Sequence, residues 1–125
     1  MNSYVEILKN EFIAGDDSFL IQIRPWLKWN RNAFLRLVKA MKAYCMDHED
    51  DTMLERWAAD GFWYVSWFVE NWSTHPNFHK PYSDEYYALA YGLLFDLASW
   101  YFEGTCPYVP GPAVFDEKLD KLTKL

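Results

Sequence analysis

Apolar residues recur along this chain at spacings of three and four, the helical period, in stretches set apart by Gly, Pro, Ser and Asp. Ser3 and Glu6 have capping-box spacing, and Gly15 stops the helix they open near residue 14. Residues 16–29, DDSFLIQIRPWLKW, are ambiguous. FLIQI reads as a short helix or as an extended piece, and Pro25 argues against one helix running through the segment. Asn30 is placed to cap a helix to about Cys45, with Phe34, Leu37, Val38, Met41, Tyr44 and Cys45 on its apolar face. Arg36, Lys39 and Lys42 fall on the other side. After the acidic turn DHEDD, Thr52 and Glu55 repeat the capping-box spacing and open a tryptophan-rich helix. That helix ends by Ser73, because His75 precedes Pro76. Ser83 or Asp84 caps a long helix to Glu103, stopped by Gly104. TCPYVPGP is a rigid loop, and Ala113 to Leu125 pattern as a short, fraying amphipathic helix. With no repeat, linker or low-complexity tract, residues 1–125 read as a single all-α domain, a four- or five-helix bundle. The alternative is α+β, with a small hairpin at 16–29 or 105–115.

The segment RWAADGFWYVSWFVENW holds four of the seven tryptophans. On a helical wheel, Leu54, Trp57, Ala58, Gly61, Phe62, Tyr64, Val65, Phe68, Val69 and Trp72 share one wide arc, the expected core face. Glu55, Arg56, Asp60, Ser66, Glu70 and Asn71 share the opposite arc. Trp63 and Trp67 fall inside that polar arc, four residues apart and flanked by Asp60 and Glu70. They either pack under a neighbouring helix or face a partner. Gly61, on the core arc, marks the close approach of another helix. In the last long helix Tyr86, Leu89, Leu93, Leu94, Leu97, Trp100 and Tyr101 cover a wide arc. Its narrow stripe is Asp84, Glu85, Ala88, Gly92, Asp96, Ser99 and Glu103, acidic and built on small residues. Asp96, among apolar neighbours, is a candidate for a structural ion pair with Arg24, Arg31 or Arg56.

Composition narrows the picture. Half the residues are hydrophobic and 20% are aromatic, which excludes a disordered chain. MNSYVEILKNEF lacks the pattern of a signal peptide, and no apolar run reaches the length of a membrane span. The chain therefore reads as cytoplasmic, with Cys45 and Cys106 as reduced thiols. The net charge of −6 is uneven: residues 1–45 carry seven Lys/Arg against four acids, and residues 46–125 carry five against fourteen. Such a chain repels nucleic acid and attracts basic surfaces. The basic 28–42 helix is itself expected to lie beside the acidic second half, in one chain or between two.

Signals for chemistry are weak. His75 and His79 have the i, i+4 spacing of a metal pair, but Pro76 removes the helix that spacing needs. GxSxG, a P-loop, GxGxxG and HExxH are all lacking. Neither cysteine has a basic neighbour in sequence to activate it. No cofactor or metal and no enzymatic role is expected.

Aromatic helices such as ADGFWYVSWFVENW and LLFDLASWYFEG, on a short acidic chain, resemble immunity proteins of bacterial polymorphic and contact-dependent toxin systems. The resemblance lies in length, acidity and aromatic helices, and carries over no motif residues. It implies a protein that binds and neutralises a basic partner, such as a nuclease toxin. On that reading the partner-binding residues are Trp63, Trp67, Asp60, Glu70, Asp84, Glu85, Asp96 and Glu103. Two alternatives stand beside it. One is an acidic, dimeric chaperone or adaptor for a secreted protein. The other is a small-molecule binder or enzyme with an aromatic pocket between the two long helices and Asp96 or Tyr91 as polar anchor.

Overall fold

The Ser3 hydroxyl accepts a hydrogen bond from the Glu6 amide at 3.3 Å and opens α1 (Tyr4–Phe12). Five further helices follow: α2 (Phe19–Ile23), α3 (Arg31–Asp47), α4 (Arg56–Ser73), α5 (Asp84–Glu103) and α6 (Ala113–Lys124). The computed structural model describes residues 3–125, and no strand occurs among them. The all-α bundle is therefore the fold, with six helices rather than four or five, and neither segment proposed for a hairpin forms one. FLIQI is a single helical turn, capped by the Ser18 hydroxyl, which accepts from the Ile21 amide. Pro25 and the left-handed Leu27 (φ 52°) stop it.

Three sequence expectations change at the helix ends. α1 closes at Phe12, and the left-handed residue is Ala14 (φ 55°), not Gly15. Gly15 is needed for space, since a Cβ there would lie 1.9 Å from Asn10 Oδ1. Thr52 caps nothing: α4 starts four residues later, after Glu55, without a side-chain cap. The Glu55 carboxylate instead accepts from the Tyr44 hydroxyl (3.0 Å) and Trp57 Nε1 (3.1 Å). These bonds hold it below the usual carboxylate range. The last helix, α6, docks by burying Phe115, Leu119 and Leu122. Asn30 and Gly104 perform as expected. Asn30 Oδ1 accepts from the Ala33 amide at 3.0 Å, and Gly104 takes φ 74° and donates to the Trp100 carbonyl at 2.8 Å.

α3, α4 and α5 enclose the core, with α1 closing one side and α6 another. Phe62 stacks on Tyr101 at 4.3 Å and 4°, while Phe19 of α2 meets Trp29 and Phe34 edge-to-face and those two rings are tilted at 33° to each other. Gly61 admits the ring of Phe12 from α1, and a Cβ there would lie 2.0 Å from it. Gly61→Ala therefore gains about 1 kcal/mol of helix propensity but forces a shift costing about 1–3 kcal/mol. Net destabilisation is expected, and a denaturant midpoint equal to or above wild type would show that Phe12 swings away freely.

Charge pairing follows geometry more than sequence halves. Lys42 reaches Asp116 at 2.9 Å, joining the basic helix to the acidic second half, but Arg36 pairs with Glu11 of its own half at 2.8 Å. Glu11 is 1% exposed. Its carboxylate accepts from the Phe19 amide and from Arg36 Nε, both at 2.8 Å, and Arg36 also donates to the Asp17 carbonyl. One buried acid thus ties α1 to α2 and α3. Burial pushes its carboxyl above the ordinary value of 4.5, outweighing the Phe19 and Arg36 bonds that pull it down. A raised carboxyl favours the folded state most below its ordinary value, and that contribution is lost as pH rises through the raised one. Hence the melting-temperature difference between Glu11→Gln and wild type moves in the variant's favour from about pH 4 to about pH 7. Movement the other way would mean that the Arg36 pairing outweighs burial.

Candidate protein-binding surface

The outward face of α4 carries the aromatic pair singled out in the sequence. Trp63 is 55% exposed and Trp67 is 39% exposed, their rings edge-to-face at 5.3 Å. The row continues down the helix. Trp67 meets Tyr64 at 5.5 Å, Tyr64 stacks on Phe68 at 4.6 Å, and Phe68 stacks on Trp72 at 5.6 Å. The Arg24 guanidinium sits 5.8 Å from the Phe68 ring. The surface is therefore a continuous aromatic ladder whose upper rungs are open to solvent.

The indole N–H groups sort the tryptophans further. Those of Trp29, Trp57, Trp72 and Trp100 donate to Tyr86, Glu55, the Ile23 carbonyl and Glu49 respectively. Those of Trp26, Trp63 and Trp67 have no acceptor among the described residues; Trp26 stands alone in the loop after α2, 63% exposed, while Trp63 and Trp67 pair, each keeping a donor on an apolar body. Two residues placed on the core arc lie outside it: Leu54 is 44% exposed and Trp72 38%. Leu54 precedes α4, and Trp72 sits in its last turn, where only the short α2 segment reaches it.

α4 and α5 run antiparallel, as two contacts show. Phe62 stacks on Tyr101 near one end, and the Ser73 and Tyr91 hydroxyls share a hydrogen bond near the other. Between them lies an open groove of about 580 Å³ whose wall includes Glu70, Asp84, Tyr91, Gly92 and Phe95. Phe95 is 65% exposed and Phe102 46%. The sequence reading missed both. On a helix apolar around most of its circumference, two more Phe residues give no signal of which side lies uncovered. Gly92 is exposed, and a Cβ there would meet nothing within 4 Å. No contact within the chain requires this glycine, so Gly92→Ala is expected to raise stability by about 0.5–1 kcal/mol in chemical denaturation. A loss would reveal a backbone constraint at that turn.

The acidic candidates divide. Asp60, Glu70 and Asp84 are exposed, with no ion pair among the described residues; Asp60 lines the α1–α4 side with Lys9 and Trp57, while Glu70 and Asp84 line the groove along α5 with Lys80. Glu85 faces α6, with Lys121 Nζ at 3.5 Å. Asp96 accepts from the Tyr108 hydroxyl at 2.9 Å. It pairs with none of the three arginines considered for it: Arg24 lies over Phe68, Arg31 lies over the adjoining Tyr82 and Tyr86 rings, and Arg56 is exposed. Glu103 ends α5, exposed. The predicted set thus divides: Asp60, Trp63, Trp67 and Glu70 follow one stripe of α4, Asp84 lines the α4–α5 groove with Glu70, and Glu85 and Asp96 turn toward α6 and its loop. Asp96 also lies outside the α4–α5 groove, where the small-molecule alternative needed it, and the Tyr91 hydroxyl is taken by Ser73.

Among the described residues, no three His, Cys, Asp or Glu side chains converge as metal ligands. His75 accepts from the Asn77 amide in the loop, and His48 stacks flat on Tyr44 at 3.8 Å. Both cysteines are free, and burial pushes the Cys45 thiol well above its ordinary range. No helix among the described residues is long and apolar enough to cross a membrane. Compared with protein families, curated proteins and solved structures, the chain matches none.

Proposed function

We propose that this chain is a protein-binding module that neutralises a basic partner, in the manner of an immunity protein covering a toxin domain. The observation that carries the reading is the open Trp63–Trp67 pair, with free indole donors, in a frame of unpaired carboxylates. Large aromatics with a polar handle dominate interface energy once they are desolvated, and tryptophan is the most enriched residue type among such anchors. Asp60, Glu70 and Asp84 would steer a basic surface onto the ladder and speed its capture. Neutralisation by covering an active surface requires no reacting group on this side.

The test is co-expression with the basic domain encoded by a neighbouring gene. The expected result is a stoichiometric complex and loss of that domain's activity. Failure of every adjacent basic product to bind sinks the reading. The chain alone is expected to sediment as a monomer, since two copies joined through this face would oppose like charges.

A further inference from the structure

Two cations open into one cavity with no carboxylate to face. The cavity, about 510 Å³, lies where the starts of α3 and α5 meet the end of α6. Lys28, Asn30, Arg31, Asn32, Tyr82 and Tyr86 supply its polar wall, and no Asp or Glu lines it. The Arg31 guanidinium sits over the adjoining Tyr82 and Tyr86 rings, 4.8 Å from each centroid. Its Nη2 donates to the Leu122 and Thr123 carbonyls at 3.0 and 3.4 Å, which closes the end of α6. Arg31 therefore finds ring faces and main-chain oxygens. Neither it nor Lys28 has an ion pair among the described residues, although Arg36 and Lys42 on the same helix each find an acid. The first turn of α3 carries no acidic residue either, so its dipole adds to the positive side of the cavity, opposed only by the carbonyl end of α6. The Tyr86 hydroxyl accepts from Trp29 Nε1 at 2.9 Å, and among the described residues its own proton has no acceptor.

We infer that this cavity binds a phosphate group carried by a small solute, with Arg31 and Lys28 as charge partners and Tyr86 and Asn32 as neutral donors. A planar guanidinium already fixed by two rings loses little entropy on binding, and several donors beside two cations match a multi-acceptor dianion better than a single carboxylate. The volume exceeds one phosphate and leaves room for the remainder of an ester. The site shares no element with the α4 ladder and stands or falls apart from the proposed function.

The full chain is titrated with inorganic phosphate, and separately with phenyl phosphate, while ¹H–¹⁵N correlation spectra are followed against sodium chloride at equal ionic strength. Saturable shifts confined to the amides of residues 28–32 and 82–86 are expected. Tighter phenyl phosphate supports the site and assigns the remaining volume to the ester, while equal affinities support it and limit the contact to phosphate. Lys28→Glu, at an exposed rim position, is expected to weaken binding by about tenfold or more. Arg31→Lys keeps the charge, loses the planar clamp and is expected to weaken binding as well. If that variant does not fold, Lys28→Glu decides. Shifts that grow linearly and spread over the surface, or an affinity unchanged in Lys28→Glu, overturn the assignment.

Discussion

Trp100→Ala is expected to lower the unfolding free energy by about 3–5 kcal/mol, the largest effect of any single truncation considered for this chain. Trp100 is fully buried and is among the largest side chains so placed. Its indole donates to a Glu49 carboxylate oxygen at 2.8 Å, which ties α5 to the acidic turn after α3. Alanine removes the ring, leaves a cavity between packed helices and strips Glu49 of its partner. The two losses have different origins, and Trp100→Phe separates them. Phenylalanine refills much of the volume without the donor, so it is expected to recover more than half of the loss. Urea denaturation of both variants checks this. A Trp100→Ala loss below about 1.5 kcal/mol would mean that the core collapses into the gap.

The Trp63→Ala, Trp67→Ala double variant is expected to behave oppositely. Its stability should stay within about 1 kcal/mol of wild type, because neither ring lies in the core and neither indole holds a bond within the chain. Its affinity for a basic partner should fall by about 2–4 kcal/mol, roughly thirtyfold to seven-hundredfold, as for two neighbouring anchors. The two changes are not expected to add, since the rings touch at 5.3 Å. Calorimetric titration beside a thermal melt distinguishes the cases. Unchanged affinity with unchanged stability would place the binding face elsewhere, with the Phe95–Gly92 groove next in line. Large destabilisation would make the ladder structural.

The reading of α4 shows why part of this site was legible. Residues 58, 61, 62, 65, 68 and 69 are buried, as their periodicity requires, and Trp63 and Trp67 are exposed, one of the two outcomes their place on the polar arc left open. A helix imposes a fixed angle per residue, so opposite faces separate in any sequence long enough to repeat. The rule weakens at helix ends, where Trp72 and Leu54 leave the core because no neighbour extends far enough to cover them. It also weakens where one helix is apolar nearly all round. There the exposure of Phe95 and Phe102 depends on which neighbours stop short.

By itself the sequence determined the helical class, most of the helix boundaries and the place of Trp63 and Trp67 on the polar arc of α4. These rest on local causes: side-chain periodicity, the caps at Ser3, Asn30 and Ser83, and the left-handed stop at Gly104. Only the tertiary structure decided which acids share a surface with that pair. Glu70 and Asp84 share the α4–α5 groove and Asp60 lies toward α1, while Tyr108 and Lys121 draw Asp96 and Glu85 toward α6. It alone decided that Glu55 serves Tyr44 rather than a capping box, that Phe12 fills the space left by Gly61, and that Arg31 finds two rings and no acid. The reason is distance along the chain. Charges and rings choose partners by proximity after packing, and helical periodicity carries no information about which distant helix arrives beside a given face.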